Sequence, residues 1–407
     1  MQTILIFFVI VIMNIVTSSV NAQQTDQNKF VIASKSTQNL RIATFNVSME
    51  ALNYIPYKRG IKPSVTSNEL TNALAENNQQ IKNIAEIIQR VNPDIILLNE
   101  FDNTNINHQA LKTFIQKYLN VAQQKQHSIN FPYFYQGSVN TGVKTPFDLN
   151  HNGIKGEVPQ DTYGFGYFPG HFGMALLSKY PIDENNIRTF QYFKWKDMPN
   201  ALQTVDPTTN KPWYSNEAWQ AFRLSSKSHW DIPVKVNGKT IHILASHPTP
   251  PVFDGKEDRN GKRNHDEIRF WHDYITPKQG EYIYDDNNKK GGLTASRFVI
   301  LGDQNASNVE GNAIYSGISL LLNSPLIQDA HPTSVGGEQH AKNNINAKHH
   351  TAYWGMRADY ILPSQLGFNI VDSGIFWPTK NDEAYRLIKN RAASSDHRLV
   401  WLDLAIK

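Results

Sequence analysis

Arg297-Phe-Val-Ile-Leu-Gly302-Asp303-Gln-Asn305 is an apolar run that stops on a carboxylate and an amide. A short apolar run of this kind reads as a strand buried on both faces. An acid at such an end is ordinarily a turn former or a helix cap, yet the same ending recurs along this chain. Residues 41–47 alternate apolar and polar side chains, a half-buried strand interrupted by Asn46. Asp94-Ile-Ile-Leu-Leu-Asn99-Glu100 is a continuous apolar run ending on Glu100, and Gly173-Met-Ala-Leu-Leu-Ser178 is another buried strand. Residues 232–236 and 239–246, joined by Asn237-Gly238, form a hairpin on an Asn-Gly turn, and His247 closes its second strand. Asp359 opens Asp-Tyr-Ile-Leu, and Ser395-Asp396-His397 directly precedes a last strand at 399–404. Repeated around a sheet, these endings set several acids, two amides and two imidazoles along one rim.

Working outward, residues 69–91 carry Leu70, Leu74, Ile81, Ile84, Ala85 and Ile88 at helical spacing. That spacing predicts one helix, stopped at Asn92-Pro93 because a residue before proline avoids the α region. Long insertions at 127–170, 190–230, 253–295 and 331–350 separate the strands; loops of that length are functional or disordered. No repeat and no composition break marks a linker. Residues 39–407 therefore read as one large mixed α/β domain with ornate loops.

The composition excludes more than it proposes. The 407 residues include no cysteine, which rules out a disulfide scaffold, a thiol enzyme and zinc-cysteine or iron–sulfur sites. Forty Lys and Arg against 36 Asp and Glu give +4, too little over this length for a protein whose task is coating DNA. Residues 4–16 form an apolar run broken only by Asn14, and Val20-Asn21-Ala22 follows. The run is short for a span, which needs ~20 apolar residues. It reads as a signal peptide, residues 1–22, cut near Ala22, with 23–38 a flexible lead-in. The missing Lys or Arg ahead of the run keeps an uncleaved anchor open. The expectation is a secreted or periplasmic protein with no membrane span in its mature form.

Carboxylate and amide oxygens without thiols suit a hard cation such as Mg2+ or Mn2+. In order, Thr44-Phe-Asn46, Leu98-Asn-Glu100, Gly173–Ser178, Ser246-His247, Gly302-Asp303-Gln-Asn305, Asp359-Tyr-Ile-Leu and Ser395-Asp396-His397 resemble the endonuclease/exonuclease/phosphatase family. That family includes deoxyribonuclease I, exonuclease III, the neutral sphingomyelinases and the inositol polyphosphate 5-phosphatases. The resemblance runs from about residue 40 to 405. It implies an α/β (α+β) four-layer sandwich, deoxyribonuclease I-like, in which two packed mixed β-sheets are flanked by helices and the site lies on one rim. It further implies Glu100 as principal metal ligand with Asn46 and Asp396 beside it. Asp303 would orient or deprotonate the attacking water, and Asn305 would hold a phosphate oxygen. Asp359 would fix the His397 imidazole, acting as base or as stabiliser of the transition state, and His247 would contact the scissile phosphate. Two positions depart from the nuclease pattern: Ser48 replaces a frequent Asp, and His171 a frequent Tyr. His171 could contact phosphate from that place or be a loop histidine.

The insertions add further candidates. Asp148-Leu-Asn150-His-Asn152-Gly153 matches the front of a Ca2+ loop, but Pro159 stands where the bidentate Glu belongs. Glu157 or Asp161 could close a shorter loop around a structural Ca2+; an Asn/Gly-rich turn is the other reading. After the stiff His247-Pro-Thr-Pro-Pro251 segment, Arg259, Arg263 or Asn264 could clamp a substrate phosphate, or belong to an ion-paired loop and helix start. Aromatics at Tyr192, Phe193, Trp195, Trp213, Tyr214, Trp219 and Phe222 could stack bases or pack the insertion onto the domain. Gly255 to Arg263 lacks P-loop spacing, and no Gly-x-Ser-x-Gly elbow occurs. The expected function is a metal-dependent phosphoesterase acting on phosphomonoesters or phosphodiesters, with nucleic acid entering only as a substrate and no obligate protein partner. An extracellular nuclease and a catalytically inactive binding protein are the alternatives; the low net charge, His247, His171 and Ser48 favour small phosphoesters over polynucleotides.

Overall fold

Eleven strands build two mixed sheets in the computed structural model, which describes residues 30, 32, 34–36, 39–56, 63–103 and 107–407. The leader at 1–22 and most of the lead-in lie outside the described residues. In chain order the strands are β1 (Leu40–Met49), β2 (Ile95–Phe101), β3 (Tyr133–Tyr135), β4 (Met174–Ser178), β5 (Arg188–Thr189) and β6 (His229–Val236). They continue with β7 (Lys239–Ser246), β8 (Phe298–Asp303), β9 (Asp359–Pro363), β10 (Phe368–Ile375) and β11 (Val400–Ile406). One sheet has the order β10-β11-β1-β2-β4-β3, the other β5-β6-β7-β8-β9. The pairs β1–β2 and β7–β8 are parallel and the remaining ladders antiparallel.

Period-two alternation assigns the layers. On β8, Val299 and Leu301 join the core shared with the first sheet, whereas Phe298 and Ile300 join a second core. Ile243 against Leu244 on β7, and Ile361 against Tyr360 and Leu362 on β9, divide in the same way. Helices α1 (Asn68–Ala75), α2 (Gln79–Val91) and α3 (Gln109–Phe114) feed Leu74, Ile81, Ile84, Ile88 and Leu111 into the first core. Short α4 (Asn216–Ala221) and long α5 (Arg259–Ile275) cover the second sheet, with Ile268, Phe270 and Trp271 pressed on it. Helices α6 (Tyr315–Leu322) and α7 (Val335–His340) complete the set among the described residues, and no helix there is long and apolar enough to cross a membrane.

Three sequence expectations change. The predicted helix at 69–91 is two helices, broken where Asn77 takes φ 57° and the Asn78 side chain accepts from Gln80 N to cap α2. The first strand is buried along its whole length, because Arg41 pairs through Nε and Nη2 with Asp403 on β11, at 2.7 Å each. The 253–295 insertion is built around a 17-residue helix rather than being all loop, and its Trp271, with Phe193, Trp195 and Phe222 from the 190–230 insertion, fills the second core. The Asn-Gly turn and the αL stop at Asn92 (φ 52°) stand where the sequence puts them.

Candidate active site

Strand ends converge because two of them are deformed. β1 and β2 slip register between Asn46 and Met49, and Ser48 (φ 47°) and Glu100 (φ 54°) take the left-handed region at the two strand ends. On β8, Gly302 takes φ 140°, and a Cβ there would lie 2.0 Å from the Ser246 carbonyl oxygen; only glycine lets β8 deliver Asp303 this close to the end of β7.

Asp303 is the hub. Its Oδ2 accepts from Asn46 Nδ2 at 3.1 Å and faces His247 Nε2 at 3.3 Å and His397 Nε2 at 3.5 Å; its Oδ1 accepts from Asn305 N at 2.9 Å. Burial opposes the charge, but His397, His247 and the donor from Asn46 overcome it and hold this carboxyl far below the usual range. His397 Nδ1 lies 2.9 Å from Asp359 Oδ2, which also accepts from Thr351 Oγ1 at 2.6 Å. Burial would depress His397, yet Asp359 and Asp303 on either side push it up to about 10. Burial and then the Lys227 ammonium push His247 down to about 4, against the pull of Asp303. At neutral pH the two imidazoles on one carboxylate oxygen hold opposite charge states. The Trp354 ring stands edge-on to His397 at 4.9 Å.

Beside this hub lies an acid corner. Burial, then Asp396, then Glu50 push Glu100 up to about 7. Asp396 Oδ1 accepts from Ser48 Oγ at 3.2 Å, and the exposed Arg391 guanidinium sits 3.8 Å from both Glu50 and Asp396. The donor set fits a hard divalent cation: the oxygens of Asp396 and Glu50 crowd the buried Glu100 carboxyl, and a cation would relieve that repulsion. Asp303, Asp359 and His397 also bring one potential ligand atom each within 4.8 Å of one another. A protonated His397 has no lone pair to offer, so the acid corner is the better cation site.

Other expected residues are placed differently. His171 is fully buried: its Nδ1 accepts from Tyr167 N, its Nε2 donates to Glu50 at 3.0 Å, and Phe172 stacks on it at 3.8 Å. It orients Glu50 rather than facing phosphate. Arg263 Nε donates to Leu224 O and Nη2 to the Tyr163 and Arg223 carbonyls, so its guanidinium ties the insertion to α5 instead of clamping a phosphate. Asn264 Nδ2 likewise bridges the carbonyls of Thr249 and Gln304, fixing the segments that follow His247 and Asp303. Arg259 lines the cleft but pairs with Glu257. In the 148–161 loop, Asp148 accepts from Asn152 N and Gly153 N, Asn150 from Asn152 N, Asn152 from Ile154 N, and Asp161 from Leu149 N and Glu157 N. Asn152 Nδ2 donates to Glu157 Oε2 at 2.8 Å. The loop is a series of Asx turns, and the structure gives the Ca2+ expectation no support.

All of this opens into a cleft of about 1840 Å³, lined by Glu50, Glu100, Lys227, Asp303, Asn305 and His397 among others. Glu50, Lys227, Arg391 and Trp354 escape the sequence reading, since none sits at the end of an apolar run.

A buried Asp/Asp/His cluster on the shared rim of two mixed sheets is a phosphoesterase arrangement, and the chain belongs to the endonuclease/exonuclease/phosphatase family, whose model matches residues 43–397. Members of this family are metal-dependent phosphoesterases. Among solved structures, the chain is similar to an endonuclease/exonuclease/phosphatase from Beutenbergia cavernae (14% identity, 90% of this chain and 72% of that one, TM-score 0.46). It is similar also to the human Nocturnin catalytic domain with bound sulfate (14%, 92% and 97%, TM-score 0.44). A third likeness is to sphingomyelinase C from Streptomyces griseocarneus (12%, 90% and 99%, TM-score 0.41). No curated protein matches the sequence.

Proposed function

We propose that this chain is an exported, Mg2+- or Mn2+-dependent phosphoesterase that hydrolyses small phosphomonoesters or phosphodiesters by attack of an activated water. The observation that carries the reading is Asp303 Oδ2 between a neutral His247 and a charged His397, beside the Glu50, Glu100 and Asp396 corner. Glu100 and Asp396, with the Asn46 amide, are the residues to hold the cation, which supplies charge for the developing phosphoryl oxyanion.

In this reading Asp303 orients the water as an acceptor; a carboxylate so strongly stabilised in its charged form is a poor proton acceptor. His397, kept charged by Asp359, stabilises negative charge as it develops. His247 Nε2 carries the proton that points at Asp303, and Asn305, its N–H held by Asp303 and its amide by the Pro248 carbonyl, lines the cleft. Small substrates are favoured over polynucleotides by the modest +4 charge and by the burial of Phe193, Trp195, Tyr214 and Phe222, rings that base stacking would need exposed. Export rests on the apolar run at 4–16 and the small-residue ending at Ala22.

The test is a substrate panel with purified protein: a phosphomonoester, a phosphodiester, sphingomyelin, and plasmid and single-stranded DNA, each with chelator or with added Mg2+ or Mn2+. Turnover of a small ester that stops with chelator is expected. Turnover that survives chelation overturns the metal-dependent mechanism, and cleavage of DNA alone overturns the substrate class.

A further inference from the structure

We infer that Lys227 is a binding residue for the tetrahedral anion in this cleft, its ammonium taking a non-bridging oxygen of the substrate phosphoryl group and then of released orthophosphate. The inference rests on the phosphoesterase reading above and adds a residue to it. Lys227 lies two positions before β6, is only 6% exposed, and lines the cleft with Glu100, Asp303 and Asn305. Among the described residues its Nζ has no hydrogen-bond acceptor and no carboxylate within 4.0 Å; Glu267, Glu100 and Asp303 act on it only through space. An unpaired ammonium is one of the costliest groups a fold can bury. One facing a cleft is explained by an anion that enters it.

Glu267 is not the missing partner. Its Oε1 accepts from Ser226 N at 2.6 Å and its Oε2 from Thr249 N at 2.7 Å. Both oxygens are thereby committed to backbone on either side of the site, beside Lys227 and two residues beyond His247. Glu267 is a positioning residue: it fixes the Lys227 and His247 segments relative to each other and acts on the ammonium only through space, leaving it without a hydrogen-bond acceptor. Asp303, Asn305 and His397 line the same cleft, so a phosphoryl group entering from solvent meets the ammonium beside the groups proposed to act on it. The remaining cleft cations are engaged elsewhere, Arg259 on Glu257, Arg263 on backbone carbonyls, and Arg391 near Glu50 and Asp396.

The experiment titrates inorganic phosphate into wild type, Lys227→Met and Lys227→Arg by calorimetry in Mg2+ buffer, and records thermal unfolding without phosphate. Lys227→Met is expected to weaken phosphate binding at least ~10-fold, the scale of one charge-assisted hydrogen bond. It is also expected to raise Tm, because an unpaired buried charge is gone, and Lys227→Arg should recover part of the affinity. Equal phosphate affinity in wild type and Lys227→Met overturns the inference. So does a lower Tm in Lys227→Met, which would make the ammonium a structural partner, and so does a wild type that binds no phosphate. Phosphate binding that depends on Lys227 in a protein turning over no phosphoester would instead sink the phosphoesterase reading alone.

Discussion

Two imidazoles share one carboxylate oxygen of Asp303, and their surroundings separate them by several pKa units, to about 10 for His397 and about 4 for His247. Such a division assigns positive charge to one ring and a fixed proton direction to the other. Glu100→Gln and His397→Ala are each expected to lower turnover at least ~100-fold with unchanged circular dichroism, the scale of a lost electrostatic group; wild-type rates in either variant would show the site to be misassigned. A third buried imidazole reports on stability. His229 Nε2 donates to the Glu267 carbonyl at 2.8 Å, its Nδ1 accepts from Ser225 Oγ at 2.6 Å, and burial pushes it down to about 4. Above pH 6.5 it is neutral folded or unfolded. As pH falls from 6.5 towards 4, the unfolded chain takes a proton that the folded one refuses, so stability is lost across that window, by at most about 3 kcal/mol. Urea unfolding of His229→Gln against wild type at pH 7.5 and 4.5 checks this: the variant should show the smaller drop.

At the scale of elements, the strand ends bear the consequences of tight backbone approach. Gly302→Ala would press a methyl group onto the Ser246 carbonyl, and β8 must retreat from β7 to admit it. A loss of at least ~2 kcal/mol in chemical denaturation is expected, with activity falling as Asp303 moves. The 148–161 loop offers the opposite case. Since Asp148 caps turn N–H groups, Asp148→Ala should lower stability by about 1 kcal/mol equally with and without Ca2+; a loss confined to Ca2+ buffer would restore a cation at this loop. The elements themselves were unevenly legible from sequence. Buried strands such as β2 and β8 announce themselves as apolar runs, and their terminal Glu100 and Asp303 are read with them. β3, β5 and β10 do not, being short or, in Phe368–Ile375, exposed along one face. Lys227 and Glu50 carry no local signal because burial and the neighbours that matter come from residues far away in the chain. Arg263 misleads for the same reason: a charged residue in a charged stretch looks free, and only the fold reveals the carbonyls around it.

For the whole molecule, a cation held in the acid corner would couple metal to folding. With no cation, burial and the neighbouring acids disfavour ionised Glu100, so stability falls as pH rises from about 4.5 through 7. Millimolar Mg2+ should raise the Tm of wild type at pH 7.5, by the equivalent of ~1.4 kcal/mol for each tenfold excess over Kd, and chelator should reverse it. Glu100→Gln should be the more stable protein in chelator and respond little to Mg2+; an equal response would place the cation elsewhere. The four-layer arrangement was legible in the order of motifs, whereas the second core was not, because the aromatics of the 190–230 insertion match packing and base stacking equally well until their burial is seen.

β11 lies inside the first sheet, between β10 and β1, although it follows the other ten strands in sequence. Asp396 and His397 arrive just ahead of it, some 350 positions after Asn46. A chain growing on the ribosome therefore holds β1 with one edge unpaired and cannot complete the candidate centre at any length short of His397. Strand order acts as a timer: the candidate centre is completed in one step, late in synthesis, when Asp396 and His397 have emerged and β11 can enter the sheet.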